Sequence, residues 1–273
     1  MIRSKVFQLA AVAALMVGAQ GVNACSLAAW TGAVSTATTG EPTAGFSRYS
    51  GRCSLRASAA TQFVTDNTPA AETSFKARFY FYTGGLAGGP AVIYQAQNAG
   101  GTNIIQVSYD GSLATPQLTF AVNGTATTQT VNVAANRYYS IEVRWAAAGT
   151  FAALVKGGGL PAVTTVNISG FTGGVIDTAR LGWISGGSLP GGATTPFFDE
   201  YDSRRTSDIG NLCRGDANND GVYGSADRVL MTNEILGTSL ATGQPDMNED
   251  GAIGSGDRVL VTNAILAATP CPN

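Results

Sequence analysis

Between Ser74 and Ser203 apolar and polar residues alternate with a period of two, the pattern of strands with one face in a core. In SFKARFYFY, Phe75, Ala77, Phe79 and Phe81 alternate with Lys76, Arg78, Tyr80 and Tyr82. In YYSIEVRW, Tyr139, Ile141, Val143 and Trp145 share one face, and Ser140, Glu142 and Arg144 take the other. NIIQVSYDG ends in Asp110-Gly111 and PQLTFAVNG in Asn123-Gly124, dipeptides that favour tight hairpin turns. FAALVKGGG, TTVNISG, ARLGWISGG and FFDEYDS continue the series, and no segment in this region has the period of an amphipathic helix. Short alternating runs between glycine-containing turns predict two antiparallel sheets packed face to face. Residues 25–73 are less periodic and rich in Ala, Ser and Thr. They are expected to begin the same sandwich.

The pattern changes after Arg204-Arg205-Thr206. Two stretches of twelve residues follow, DANNDGVYGSAD at 216–227 and DMNEDGAIGSGD at 246–257, each leading into a short helical pattern. Calcium takes six to eight hard oxygen ligands, and a twelve-residue loop supplies them from positions 1, 3, 5, 7, 9 and 12, with glycine at 6 for a sharp turn. The first loop offers Asp216, Asn218, Asp220, the carbonyl of Val222, and Asp227, with Gly221 at the turn. The second offers Asp246, Asn248, Asp250, the carbonyl of Ala252, and Asp257, with Gly251 at the turn. Gly224 and Gly254 stand at position 9, so a water must serve there. A flexible loop with a backbone ligand suits magnesium poorly, and the reading is two calcium ions. A single Asn/Asp-Gly turn is common without any ion, but two frames in register, each followed by GSxDRVLxTNxIL, are not explained that way.

Ser225 and Ser255 are placed to cap the two helices, with Asp227 and Asp257 in the first turns. Val229, Leu230, Ile235 and Leu236 fall on one side of the first helix; Val259, Leu260, Ile265 and Leu266 do so in the second. No helix leads into either loop: RTSDIGNLCRG precedes Asp216 and TSLATGQP precedes the proline beside Asp246.

This duplicated half EF-hand resembles a dockerin over Cys213 to Cys271. The resemblance implies a small calcium-folded module on a secreted, polysaccharide-related protein, attaching its host to a cohesin domain. It also implies that positions ten and eleven of each loop read the partner, here Ser225-Ala226 and Ser255-Gly256. The chain has Thr232-Asn233 and Thr262-Asn263 where such modules usually carry basic residues. Upstream, NRYYSIEVRWAAAGTFAALVKGG resembles the core hairpin of the concanavalin/laminin-G jelly roll, and GGATTPFFDEYDSRR is similar to its closing strand. Such domains bind glycans or proteins on loops or on one concave sheet, and some are glycosidases. The expected fold is therefore mainly β: an antiparallel jelly-roll sandwich at 25–205, then a small α-helical dockerin-like domain at 206–273.

At the N-terminus, Arg3 and Lys5 precede an apolar run that ends in Val22-Asn23-Ala24, which reads as a secretory signal peptide at 1–24. The run is too short to span a membrane, which needs about 20 residues. Lipid attachment at Cys25 is the alternative. Four cysteines in a secreted chain suggest disulfides with three possible connectivities, of which the layout favours Cys25–Cys53 and Cys213–Cys271, one bridge at each end.

The chain has net charge −2, and nine of its acids lie after residue 207 against three arginines. No basic stripe exists, so nucleic acid is not the expected partner. Histidine is absent, which excludes a Ser-His-Asp triad and histidine metal sites. Hydrolysis of a glycan would need two carboxylates about 5–10 Å apart. Glu142, Asp199, Glu200 and Asp202 are the candidates, but FFDEYD lacks the E-x-D-x-x-E spacing. Glu142 is expected to face solvent or a cross-strand partner, with Asp199 and Glu200 on opposite faces. The expected function is a secreted, non-catalytic protein whose sandwich binds a carbohydrate or surface ligand and whose calcium module docks to a cohesin-like or other protein. A jelly-roll hydrolase or lyase and a structural matrix protein are the alternatives.

Overall fold

The computed structural model describes residues 27, 30, 32–34, 38–40, 47–191 and 193–271. The expected signal peptide and Cys25 lie outside the described residues. The strands are β1 (Gly32–Val34), β2 (Thr38–Gly40), β3 (Ser54–Arg56), β4 (Gln62–Asp66), β5 (Ser74–Tyr82), β6 (Ala87–Gln97) and β7 (Asn103–Asp110). They continue with β8 (Gln117–Val122), β9 (Thr128–Asn132), β10 (Tyr138–Ala146), β11 (Thr150–Gly157), β12 (Thr164–Ser169), β13 (Thr178–Ser188) and β14 (Phe197–Arg204). Two helices close the chain, α1 (Ser225–Ile235) and α2 (Ser255–Leu266).

The strands form two antiparallel sheets, ordered β1-β4-β13-β6-β7-β8-β9 and β12-β11-β10-β5-β14-β3-β2. The fold is thus an antiparallel jelly-roll sandwich followed by a small helical unit. The early segment begins the sandwich as expected, and β3 pairs with the last strand, Phe198 opposite Leu55. The alternation explains the core. Phe75, Ala77, Phe79 and Phe81 of β5 and Tyr139, Ile141, Val143 and Trp145 of β10 all lie between the sheets. They meet Tyr94, Ile105, Val107, Tyr109, Leu118 and Phe120 of the facing sheet. Burying side chains of this size is worth about 1.5–3 kcal/mol each against exposure, so the period-two pattern fixes which face turns inward.

The opposite face of β5 and β10 is also covered. Residues 205–212 lie across it as a strap. The Arg205 carbonyl accepts Ser74 Oγ at 2.7 Å, the Thr206 carbonyl accepts Lys76 Nζ at 2.7 Å, and the Gly210 carbonyl accepts Arg78 Nη1 at 3.1 Å. Glu142 receives the backbone N–H groups of Ile209 at 3.3 Å and Gly210 at 2.9 Å, besides Arg144 Nε at 2.8 Å. Glu142 is therefore a buried anchor for the strap, at 4% exposure, turned away from solvent, and Arg78 stands opposite it in β5 as a cross-strand partner. Further along, Tyr49, Tyr80, Tyr82, Tyr138 and Phe197 form a second apolar cluster that Leu212 packs against. Tyr49 stacks on Tyr80 with ring centroids 3.8 Å apart.

Candidate metal centres

Both acidic loops fold alike, because the same residues make the same local bonds. In the first, Asp216 accepts the N–H groups of Asp220 at 3.1 Å and Gly221 at 2.7 Å. Asp227 accepts those of Asn218 at 3.1 Å and Gly224 at 2.7 Å. In the second, Asp246 accepts Asp250 N at 3.1 Å and Gly251 N at 2.8 Å, while Asp257 accepts Asn248 N at 3.0 Å and Gly254 N at 2.9 Å. Gly221 and Gly251 have φ +85° and +83°, which explains glycine at position 6.

These bonds draw positions 1, 3, 5 and 12 of each loop together. Asp216, Asp227, Asp246 and Asp257 are at most 1% exposed. Among the described residues none of the four is in a salt bridge. Burying paired carboxylates without a cation is costly. Burial raises the Asp227 carboxyl above the ordinary range and pushes Asp246 up to about 8. A divalent cation at the loop centre would reverse that cost, and the oxygen-only donor set suits a hard ion such as calcium. Asp216, Asn218, Asp220, the Val222 carbonyl and Asp227 would hold one ion. Asp246, Asn248, Asp250, the Ala252 carbonyl and Asp257 would hold the other.

One expectation about the helices is corrected. Their N-caps are Gly224 and Gly254, not Ser225 and Ser255, which are the first helical residues. The aspartate three positions in already satisfies the cap N–H, so no serine side chain is needed. Only part of the apolar side of the helices enters the core of the unit. That core is Ala217, Met231, Ala241 and Val261, with Leu230, Met247 and Ile265 beside them. Val229, Leu236, Val259 and Leu266 are 57%, 69%, 56% and 81% exposed. The residues expected to read a partner, Ser225, Ala226, Ser255 and Gly256, are exposed as well. A groove of about 280 Å³ runs along α1, lined by Ser225, Arg228, Val229, Thr232 and Asn233.

A disulfide joins Cys213 to Cys271, with Cα atoms 5.3 Å apart and 58 residues between them in sequence. Among the described residues no cysteine is free. No helix among them is long and apolar enough to cross a membrane.

The unit is fixed to the sandwich at many points. Arg48 Nη2 contacts both Glu234 oxygens at 2.7 Å, Gln244 Nε2 donates to Ser50 Oγ at 2.8 Å, and Leu212 N donates to Tyr80 Oη at 2.8 Å. Glu249, at position 4 of the second loop, is buried against β10–β11 and pairs with Arg214 at 3.2 Å. Nothing in the local pattern marked it, because position 4 is not a ligand position.

The candidate catalytic carboxylates have structural partners. Asp199 accepts the N–H groups of Tyr49, Ser50 and Glu200 at 2.8, 3.0 and 2.9 Å. Burial, with Glu200 beside it, still raises its carboxyl to about 7. Glu200 has φ +51° in a bulge of β14 between Asp199 and Asp202, so simple alternation does not describe this stretch. Arg204 holds Asp202 at 2.9 Å. A cavity of about 480 Å³ at this edge is lined by Trp30, Asp66, Asp199, Glu200, Tyr201 and Asp202, among others.

The fold and the paired loops define a β-sandwich joined to a duplicated loop–helix unit. Residues 214–266 match the model of the dockerin type I domain. Comparison with curated proteins gives no match. Among solved structures, the chain is similar to the cellulose induced protein Cip1, at 14% identity over 64% of this chain and 88% of that one, with a TM-score of 0.46. It is similar to tailspike protein 2 of the Escherichia coli O157:H7 bacteriophage CAB120, at 12% identity over 63% of this chain, with a TM-score of 0.45; it spans 25% of that protein. It is also similar to an alginate lyase of Pseudomonas aeruginosa, at 10% identity over 54% of this chain and 74% of that one, with a TM-score of 0.38.

Proposed function

We propose that this is a secreted, non-catalytic protein of two modules, 25–205 and 206–273. The first binds a polysaccharide, and the second takes two calcium ions and docks to a cohesin-like partner. The observation that carries the docking role is the outward apolar face of α1 and α2. Val229 and Val259 stand exposed beside Arg228 and Arg258, with Ser225, Ala226, Ser255 and Gly256 at the helix starts. A small module that left these side chains in water without a partner would lose their burial energy.

The outer face of the β6–β9 sheet is the proposed ligand surface. The strap and the helical unit cover the outer face of β5 and β10, whereas the outer face of the other sheet carries neutral amides and hydroxyls. Gln95 Nε2 donates to Gln106 Oε1 at 3.3 Å, Gln97 Nε2 to Asn103 Oδ1 at 2.7 Å, and Gln117 Nε2 to Asn132 Oδ1 at 2.9 Å. Arg180 stands opposite Gln95 in the next strand. Amide side chains both donate and accept, which suits a polyhydroxylated chain. The non-catalytic reading draws on the engagement of Glu142 and Asp199 by backbone N–H groups.

The test is affinity electrophoresis on a polysaccharide panel with Gln95→Ala/Gln106→Ala, and surface binding to a panel of cohesin domains with Val229→Glu/Val259→Glu. Each pair of substitutions should abolish one interaction and leave the other. New chain ends released from any polysaccharide would overturn the non-catalytic reading. Cohesin binding that survives chelation would overturn the calcium-dependent docking.

A further inference from the structure

The two loops match each other internally but not in their surroundings. Position 4 is left-handed in both, with φ +63° at Asn219 and +60° at Glu249. Asn219 is exposed, whereas Glu249 is buried. Among the described residues, 216–227 make no hydrogen bond to the sandwich. The second loop makes several. Glu249 Oε2 accepts Gly158 N at 2.9 Å, and the Glu249 carbonyl accepts Tyr138 N at 2.9 Å. The Asn248 carbonyl accepts Arg137 Nη1 at 3.2 Å, and the Gly251 carbonyl accepts Ser47 Oγ at 3.0 Å. The Tyr82 ring lies against Gly251 so closely that any Cβ there would overlap it.

The backbone of 248–251 thus has two tasks. Its inner side brings Asn248 and Asp250 to the ion position, and its outer side carries the bonds to β10, β11 and the 47–51 turn. Without an ion, Asp246, Asp250 and Asp257 repel one another across the loop, and the turn that aims Glu249 outward loses its support. We propose that the second calcium site is a clasp between the modules. Its ion holds the loop in the shape that docks on the sandwich, while the ion of the first loop serves the fold of the helical unit alone. Glu249 is a positioning residue, not a ligand. By linkage, whatever docking adds to calcium affinity at this loop, calcium adds to docking. The inference rests on the reading of both loops as calcium sites.

The experiment uses the full chain. Native mass spectrometry counts bound calcium, and hydrogen–deuterium exchange follows the amides of Tyr138 and Gly158, whose acceptors belong to Glu249. Asp250→Ala should lose one ion and speed exchange at both amides at least tenfold. Asp220→Ala should lose one ion and leave them protected, with α2 protection verifying that the unit stays folded. Should Asp220→Ala unfold the unit, Glu249→Gln decides. It keeps both ligand sets, and it should raise the calcium needed for half-protection of these amides about fivefold or more. An unchanged calcium requirement in Glu249→Gln, or equal responses in the two aspartate variants with α2 still protected, would overturn the clasp. Wild-type protein that binds no calcium would overturn the calcium reading and the clasp together, whereas two bound ions with unchanged exchange would overturn the clasp alone.

Discussion

Arg48 and Glu234 form an ion pair between the sandwich and α1, with Arg48 Nη2 2.7 Å from each Glu234 oxygen and the arginine side chain fully buried. Glu234 Oε2 also accepts the N–H of Ala241 at 2.8 Å, so this carboxylate sets both the module contact and the turn after α1. A buried pair is a weak source of net stability, but breaking it leaves one charge stranded. Arg48→Ala should therefore destabilise the protein by about 3–5 kcal/mol. Arg48→Met with Glu234→Leu should cost clearly less. Urea unfolding of the two variants against wild type measures this, and equal losses would mean that the stranded charge is not the cause.

Calcium removal should unfold the helical unit. The carboxylates of Asp216, Asp227, Asp246 and Asp257 are buried without a cationic side chain, so calcium bound there would stabilise this fold. Chelation should lower far-ultraviolet helix content and the melting temperature. Asp216→Ala with Asp246→Ala should reproduce both effects in saturating calcium. A melting curve indifferent to chelator would show the ligand assignment to be wrong.

Cys213–Cys271 clips the unit at its two ends, 58 residues apart. In the chain-entropy model, closing a loop of this length is worth about 4 kcal/mol. Cys213→Ser with Cys271→Ser should therefore lower the urea midpoint and raise the calcium concentration needed to fold the helices. Circular dichroism titration in both forms tests it; identical calcium midpoints would show that the bond does not support the unit.

Asp199 predicts a pH signature. Its carboxyl is raised to about 7 in the folded protein by burial first and the nearby Glu200 second. A group whose folded pKa lies above its unfolded value stabilises at low pH, and that contribution is lost as pH rises through the folded value. Wild type should thus gain stability relative to Asp199→Asn as pH falls from 8 towards 4. Both proteins share the calcium loops, so the difference isolates this residue. A difference that stays flat with pH would mean that the three backbone donors, not burial, set its ionisation.

Much of this protein is legible from local pattern. Alternation on β5 and β10 placed Phe79 and Ile141 in the core and Tyr80 and Glu142 on the other face. The loop frame names ten candidate oxygen donors, and each loop folds by bonds that span no more than nine residues, such as Asn218 N to Asp227. Helix periodicity grouped Val229, Leu230, Ile235 and Leu236 on one side, but it did not tell that Leu230 packs against the core while Val229 and Leu236 lie in water. In so small a unit, Met231 and Val261 fill the interior together with Ala217 and Ala241.

The sequence by itself determined the regularly alternating strands, such as β5 and β10, the two loops and the absence of histidine chemistry, since each depends on residue type and short spacing. The tertiary structure alone decided what lies on the polar face of β5 and β10. Glu142 reads as a surface acid until the strap at 209–210 covers it, 67 and 68 residues away in sequence. Glu249 reads as a loop acid outside the ligand set until Gly158, 91 residues away, meets it. Periodicity tells which side chains share a face, but what covers that face depends on burial and hydrogen bonds between distant segments, and these exist only once the chain has folded.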